Sequence, residues 1–266
     1  MNDEKWRFEE PDLLFLINFF MPEQADVRRM LRILREDEDI LQGMIEDPAL
    51  AESLQTEIEP IIRVSPYLYF AVLLQQAYED LNSKPYTYEK DTRRMLVIFD
   101  TKSIIDLLSK KRMMIYLARM LASFTKIRSH SVTVHVRNGI WRRIRYSDFD
   151  VECLISYCKT TAEEHLFPIY KRIADICLFT LGIYTLTSSD DTPTRYPKGR
   201  RNGNYREYGP HYYLSAANHP DATTGDIRDV LVELAESFEL AVKPLAFMAD
   251  HYIGSLRTKL FRLSDA

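Results

Sequence analysis

The chain has 266 residues, 46% of them hydrophobic and 28% charged, and a formal net charge of −4. Those proportions are ordinary for a folded globular protein and exclude a disordered chain, a collagen-like fibre and a disulfide scaffold. With 8 glycines and 12 prolines, a β-propeller or a large barrel turned on glycine is also excluded.

The first residues, MNDEKWRFEE, are acidic and polar, whereas a secretory signal needs a basic start and then an apolar run. The most apolar stretches, Leu13 to Met21 and Ile173 to Leu186, fall short of the roughly 20 residues that span a membrane. A cytoplasmic protein without a membrane partner is expected. Cys153, Cys158 and Cys177 form no Cys-x-x-Cys pair and sit in apolar helical patterns, so they read as free thiols in a reducing compartment.

Helical periodicity dominates. Residues 11–20 predict a short apolar helix. From Pro22 to Leu54, apolar positions such as Val27, Leu31, Leu34, Leu41 and Ile45 recur at three- and four-residue steps. Ser65-Pro66 predicts a helix start, with Ser as cap and Pro at the first helical position, running to about Leu81. Asn82 to Tyr88 reads as a connection, and Met95 to Phe99 is compatible with strand or helix. Asp100 or Thr101 caps a helix through Leu108, and Ser109 caps a second from Lys110 to about Ile127.

The period then changes. Ser131 to Arg137 alternates, Asn138-Gly139 follows, and Ile140 to Tyr146 is β-rich. Asn-Gly between two such runs predicts a hairpin, because both turn residues tolerate positive φ. Helix resumes at a Ser147-Asp148 cap through Cys158, and again from Ala162 to about Leu186 with a kink at Pro168. Residues 187–204 read as a surface loop. The last helices cover about Tyr205–Asn218 and Gly225–Tyr252, the latter kinked at Pro244.

Several residues of the C-terminal half are familiar in combination. Tyr170 to Asp175 (YKRIAD), Leu178-Phe179, Gly182 to Tyr184, Tyr205 to Tyr213 (YREYGPHYY) and Leu231 to Phe238 (LVELAESF) occur in order over about residues 165–250. They resemble a signature of a group of uncharacterised, largely helical bacterial proteins, with Ala174 where that group usually has Gly. The resemblance implies a helical C-terminal half and carries over no activity and no site residue.

Catalytic and cofactor motifs are not apparent. No histidine follows a Glu or Asp by three residues, as a di-iron bundle requires. There is no G-x-S-x-G elbow, no P-loop and no G-x-G-x-x-G. Enzymatic function is not the expectation, and neither a cofactor nor a metal is expected. Gly199 to Gly203 (GRRNG) is a basic loop able to approach an anion. Tyr205, Tyr208 and Tyr212 share a helix face and, with His211, form a candidate ligand pocket; packing is the plainer account of such a stripe.

Charge is distributed unevenly. Residues 101–146 hold eleven Lys and Arg against Asp106 alone, a local charge of +10, while the rest of the chain carries −14. Residues 1–60 hold 16 acids against 6 bases. The helix–helix–hairpin order of 101–146 is similar to the second half of a winged helix-turn-helix. Lys110, Lys111, Arg112, Arg137, Arg142, Arg143 and Arg145 are the candidate contacts to phosphates or to an acidic partner. The alternative is docking of this segment on the acidic N-terminal helices, within one molecule or across a dimer.

The expected fold is therefore mainly α, a multi-helix bundle-like core with one β-hairpin near residues 131–146. Residues 1–266 are expected to form a single mostly helical domain. Any division would fall near residue 147, between a lobe 1–147 and a helical lobe 148–266. The first functional reading is an interaction protein that holds a protein partner or itself through opposed acidic and basic surfaces. The second is nucleic-acid binding through 101–146, and the third a small-molecule pocket near Tyr205–Tyr213.

Overall fold

Helix α1 (Glu10–Phe20) begins with Pro11 in its first turn, where a missing N–H costs nothing, and carries the buried Asp12. Asp12 accepts from the backbone N–H of Ser65 at 2.7 Å and from its Oγ at 2.6 Å, so one carboxylate joins segments 53 residues apart. The computed structural model describes residues 5–23, 26–56, 60–83, 87–91, 94–98, 101–125, 129–137, 140–147, 150–183, 204–224 and 227–261; within 87–98 and 129–147 it describes the backbone alone.

The periodic run 22–54 is divided into α2 (Val27–Glu36), α3 (Glu38–Glu46) and α4 (Pro48–Thr56). Asp37 divides the first two: its N–H closes α2 on Ile33, and its carboxylate caps α3 by accepting from Asp39 and Ile40. Asp47 accepts from Ala49 at the start of α4 in the same way. A short α5 (Pro60–Arg63) precedes α6 (Pro66–Ser83), which Ser65 caps through Leu68 at 3.1 Å. Every residue from Leu68 to Leu74 is buried, as befits a helix that is apolar all round.

Two strand pairs and two helices follow. β1 (Thr87–Asp91) pairs antiparallel with β2 (Arg94–Ile98), and β3 (Ser129–Arg137) with β4 (Ile140–Ser147). Between the pairs lie α7 (Thr101–Leu108) and α8 (Lys111–Ser123). The mainly α expectation holds. A fold with one β-hairpin does not: strand backbone falls into two separate antiparallel pairs, one before α7 and one after α8. The apolar run within Arg94–Ile98, compatible in sequence with strand or helix, takes the extended form and pairs with Thr87–Asp91. Asn138 and Gly139 lie outside the described residues.

The C-terminal half is helical. α9 (Val151–Cys158) is capped by Asp150, which accepts from Cys153, and not by Ser147-Asp148. A 3-10 turn at Glu163–His165 leads into α10 (Phe167–Ile183). Pro168 is the second residue of α10, where it starts a helix and kinks nothing. α11 (Tyr205–Ala217), α12 (Pro220–Thr224), α13 (Arg228–Glu236) and α14 (Phe238–Met248) follow, with Ser237 ending the helix that the pattern runs through to Tyr252. A π-helical turn at Ala249–Ile253 and a short α15 (Arg257–Leu260) complete the described chain.

One contiguous apolar cluster runs from Trp6 to Phe261. α10 is its centre, buried throughout Ile173–Ile183 and packed by α11 on one side and α14 on another. Gly182 permits the second contact, because a Cβ there would stand 2.6 Å from the Cβ of Leu245. Gly209 does the same for α11, where the Phe238 ring occupies the space of a side chain. Among the described residues no helix is long and apolar enough to cross a membrane.

Candidate functional site

α8 has two unlike aspects. Eight of its thirteen residues are buried, among them Met113, Met114, Leu117 and Leu121. Arg112, Tyr116, Arg119 and Ser123 recur at steps of four, three and four, which puts them on one stripe of the helix. With Ile115 and Met120 this stripe forms one wall of a cleft of about 250 Å³. Lys171 of α10 and Ile227 and Val230, beside and within α13, complete it. The lining holds three cationic side chains and no carboxylate.

Behind the cleft is a buried polar knot. Asp175, 3% exposed, accepts from Tyr116 Oη at 2.5 Å and from Tyr213 Oη at 2.9 Å on one carboxylate oxygen. Its other oxygen accepts from Lys171 Nζ at 2.7 Å, one helical turn away along α10. Burial, then the Asp175 charge, pushes both tyrosine hydroxyls well above their ordinary range. They stay protonated and act as donors. Both oxygens of Asp175 are engaged, an arrangement that cross-links α8, α10 and α11.

Lys171 serves two neighbours at once. Its ammonium lies 4.7 Å from the centroid of the Tyr116 ring while it pairs with Asp175, and its side chain still borders the cleft. The Arg119 guanidinium lies 5.5 Å from the Tyr67 ring centroid. Arg172 donates to Ser123 Oγ at 2.8 Å and covers the Phe124 ring at 4.0 Å. Such stacking suits a planar guanidinium and holds the stems in place.

Of the residues singled out as basic contacts, the three at the start of α8 take separate partners. Lys110 pairs with Glu233 of α13, Lys111 pairs with Glu38 of α3 at 2.6 Å, and Arg112 borders the cleft. Consecutive helical residues point about 100° apart, so a run of three cations becomes three unrelated contacts. Arg137, Arg142, Arg143 and Arg145 stand opposite Ile140, Val134, Thr133 and Ser131 in the β3–β4 register. Alternation puts positions 143 and 145 on one face and 142 on the other. Their side chains, and the loop 187–203 with Gly199 to Gly203, lie outside the described residues.

The tyrosine stripe does not line the cleft. Tyr205, Tyr208 and Tyr212 are half-buried against the core and His211 is exposed. Tyr212 packs edge-on to Tyr208 at 6.3 Å and lies 5.7 Å from Tyr170. Burial pushes the Tyr212 hydroxyl up to about 12. The neighbouring Tyr213, which the stripe leaves aside, is the one that reaches Asp175.

His219 is a buried structural group: its Nδ1 accepts from the Asp221 N–H at 3.2 Å, so Nε2 carries the proton toward Glu163 O at 2.9 Å. Among the described residues, no three His, Cys, Asp or Glu side chains converge as a metal site. Cys177 is buried and Cys153 and Cys158 are half-buried, all as free thiols.

Lys171, Asp175, Tyr116, Arg119 and Tyr213 are the residues that sequence reasoning did not single out as a site. Lys171 and Asp175 at i, i+4 and the polar stripe on an otherwise apolar α8 are the local signals that were present. Nothing local joins residue 116 to residue 175. No family model matches the chain, and neither a curated protein nor a solved structure does.

Proposed function

We propose that this chain is a helical binding protein that seats an anionic group in the cleft between α8, α10 and the segment at α13. The observation that carries the reading is the composition of the lining: Arg112, Arg119 and Lys171 around the apolar side chains Ile115, Met120 and Val230. Binding sites of this kind combine apolar walls with a few placed polar groups. The Arg fork matches carboxylate and phosphate geometry.

This reading keeps an acidic partner for the basic segment 101–146 and centres the contact on α8, where Arg112 was already a candidate. The pairing of Lys111 with Glu38 supports treating part of the charge asymmetry as an internal link between α8 and the acidic N-terminal helices. The same contact, with the burial of α8, argues against α8 as a helix inserted into a nucleic-acid groove. The saturation of Asp175 suits a scaffold better than proton transfer.

Isothermal titration with phenyl phosphate and with benzoate tests the reading. Saturable binding is expected, weakening as sodium chloride is raised, because exposed charge pairs are screened. The R112Q/R119Q variant should bind at least tenfold more weakly. Equal binding by the variant, or no heat from either probe, overturns the reading.

A further inference from the structure

Resting on the anion-binding reading above, we infer that the segment before α1, residues 5–9, regulates the cleft: Trp6, when seated, holds Arg119 in place through the Tyr67 ring, and an anion in the cleft in turn holds the segment down. Trp6 is buried although its chain neighbours Lys5 and Arg7 are exposed. Its backbone N–H donates to Glu38 Oε1 at 3.0 Å, and its indole Nε1–H donates to Gln42 Oε1 at 2.6 Å, one helical turn further along α3. A buried indole with its N–H satisfied is a firm anchor for a segment that has no helix or strand of its own. The same Glu38 oxygen pairs with Lys111 at 2.6 Å, so the anchor point is itself tied to α8.

The second link is aromatic. Trp6 and Phe8 stack at 5.7 Å, and the Tyr67 ring centroid lies 6.0 Å from the first ring and 5.0 Å from the second. The Arg119 guanidinium lies 5.5 Å from that same Tyr67 centroid, and its side chain borders the cleft. Tyr67 thus packs against the segment and against a site residue. Its backbone is fixed independently, because Ser65 caps α6 and is itself held by Asp12. What the segment governs is the ring: Trp6 and Phe8 limit its rotation, and without them the platform beside Arg119 is released. A guanidinium held over a ring still donates through its edge. One that is already ordered by its partners loses less rotamer freedom on taking an anion. Coupling between two sites is reciprocal, so whatever the seated segment adds to anion affinity, the bound anion adds to seating.

Titration calorimetry with phenyl phosphate and limited trypsin digestion, both on the full chain, test the coupling. W6A is expected to bind at least about threefold more weakly than wild type. The same loss is expected in an R112Q background, and no further loss in an R119Q background, where the route through Tyr67 is already cut. A general loosening of the fold would instead weaken every background alike. In the wild type, cleavage after Lys5 and Arg7, measured against a reference peptide in the same digest, should slow at least about threefold at saturating phenyl phosphate, because digestion follows the population of the opened segment. Equal binding by W6A, an equal loss in all backgrounds, or cleavage unchanged at saturation overturns the coupling and leaves the anion site standing. If phenyl phosphate does not bind the wild type, the reading beneath has failed and the coupling falls with it. The wild-type digestion alone decides the point should a variant not fold.

Discussion

Tyr116 and Asp175, 59 residues apart in the chain, share a buried hydrogen bond of 2.5 Å, and that bond is the seam on which α8 meets α10. Tyr213 closes the same carboxylate from α11 at 2.9 Å. Removing a donor to a charged acceptor costs about 1.5–3 kcal/mol. Tyr116→Phe and Tyr213→Phe should each lower the unfolding free energy by that amount, read as a lower urea midpoint at an unchanged slope. Asp175→Ala should cost more than either, because it strands two buried hydroxyls and Lys171 together.

The same knot predicts the alkaline limit of stability. Both tyrosine hydroxyls titrate well above their ordinary range in the folded protein because burial, and then Asp175, disfavour the phenolate. A raised pKa in the folded state means that the unfolded chain loses its protons first. The stabilisation is therefore complete below about pH 10 and falls as pH rises beyond it. Wild-type protein should lose stability more steeply above pH 10 than the Tyr116→Phe/Tyr213→Phe variant. Equal slopes in chemical unfolding across that range would contradict the assignment.

Gly182 is a packing requirement. Ala there brings its Cβ to 2.6 Å from Leu245 Cβ, which drives α10 and α14 apart. Overpacking of this kind costs about 1–3 kcal/mol. Because the nearest atom is a Cβ, trimming Leu245 to Ala should not restore the Gly182→Ala variant, and calorimetric melting of the single and double variants checks both statements.

Cys158 should be a slow nucleophile. Burial pushes its thiol up to about 11, and the thiolate is the reacting form. In a Cys153→Ser/Cys177→Ser background, the rate of modification by a disulfide reagent should rise about tenfold per pH unit throughout the neutral range, with no plateau before pH 10. A plateau near neutral pH would show an activated thiol instead.

The Lys111–Glu38 pair joins α8 to α3 with both side chains partly shielded, at 33% and 20% exposure. A double-mutant cycle with Lys111→Gln and Glu38→Gln should give a coupling of about 0.2–1 kcal/mol that shrinks in salt. A null coupling at low salt would remove the internal link between the two charged regions.

The amino-acid sequence by itself determined the helices and most of their ends, because those depend on neighbours within one turn. Ser65 finds Leu68, Asp150 finds Cys153, and apolar residues at three- and four-residue steps mark the buried side of each helix. Even its local errors were local: Asp37, Asp47 and Ser237 break runs whose hydrophobic period continues across them. The alternation near residues 131–146 indicated one strand pair, but the run Met95 to Phe99 fitted strand or helix equally, so local pattern did not show that a second pair would form between Thr87–Asp91 and Arg94–Ile98.

Only the tertiary structure decided the cleft and the knot behind it. The run Lys110-Lys111-Arg112 looks like one patch in the chain, and the helix turns it toward α13, α3 and the cleft. Tyr116, Asp175 and Tyr213 come together because α10 packs against both α8 and α11, and a buried carboxylate needs donors from whichever element is close. Spacing along a chain governs contacts over a few residues; contacts between distant segments follow from which apolar faces fill one interior.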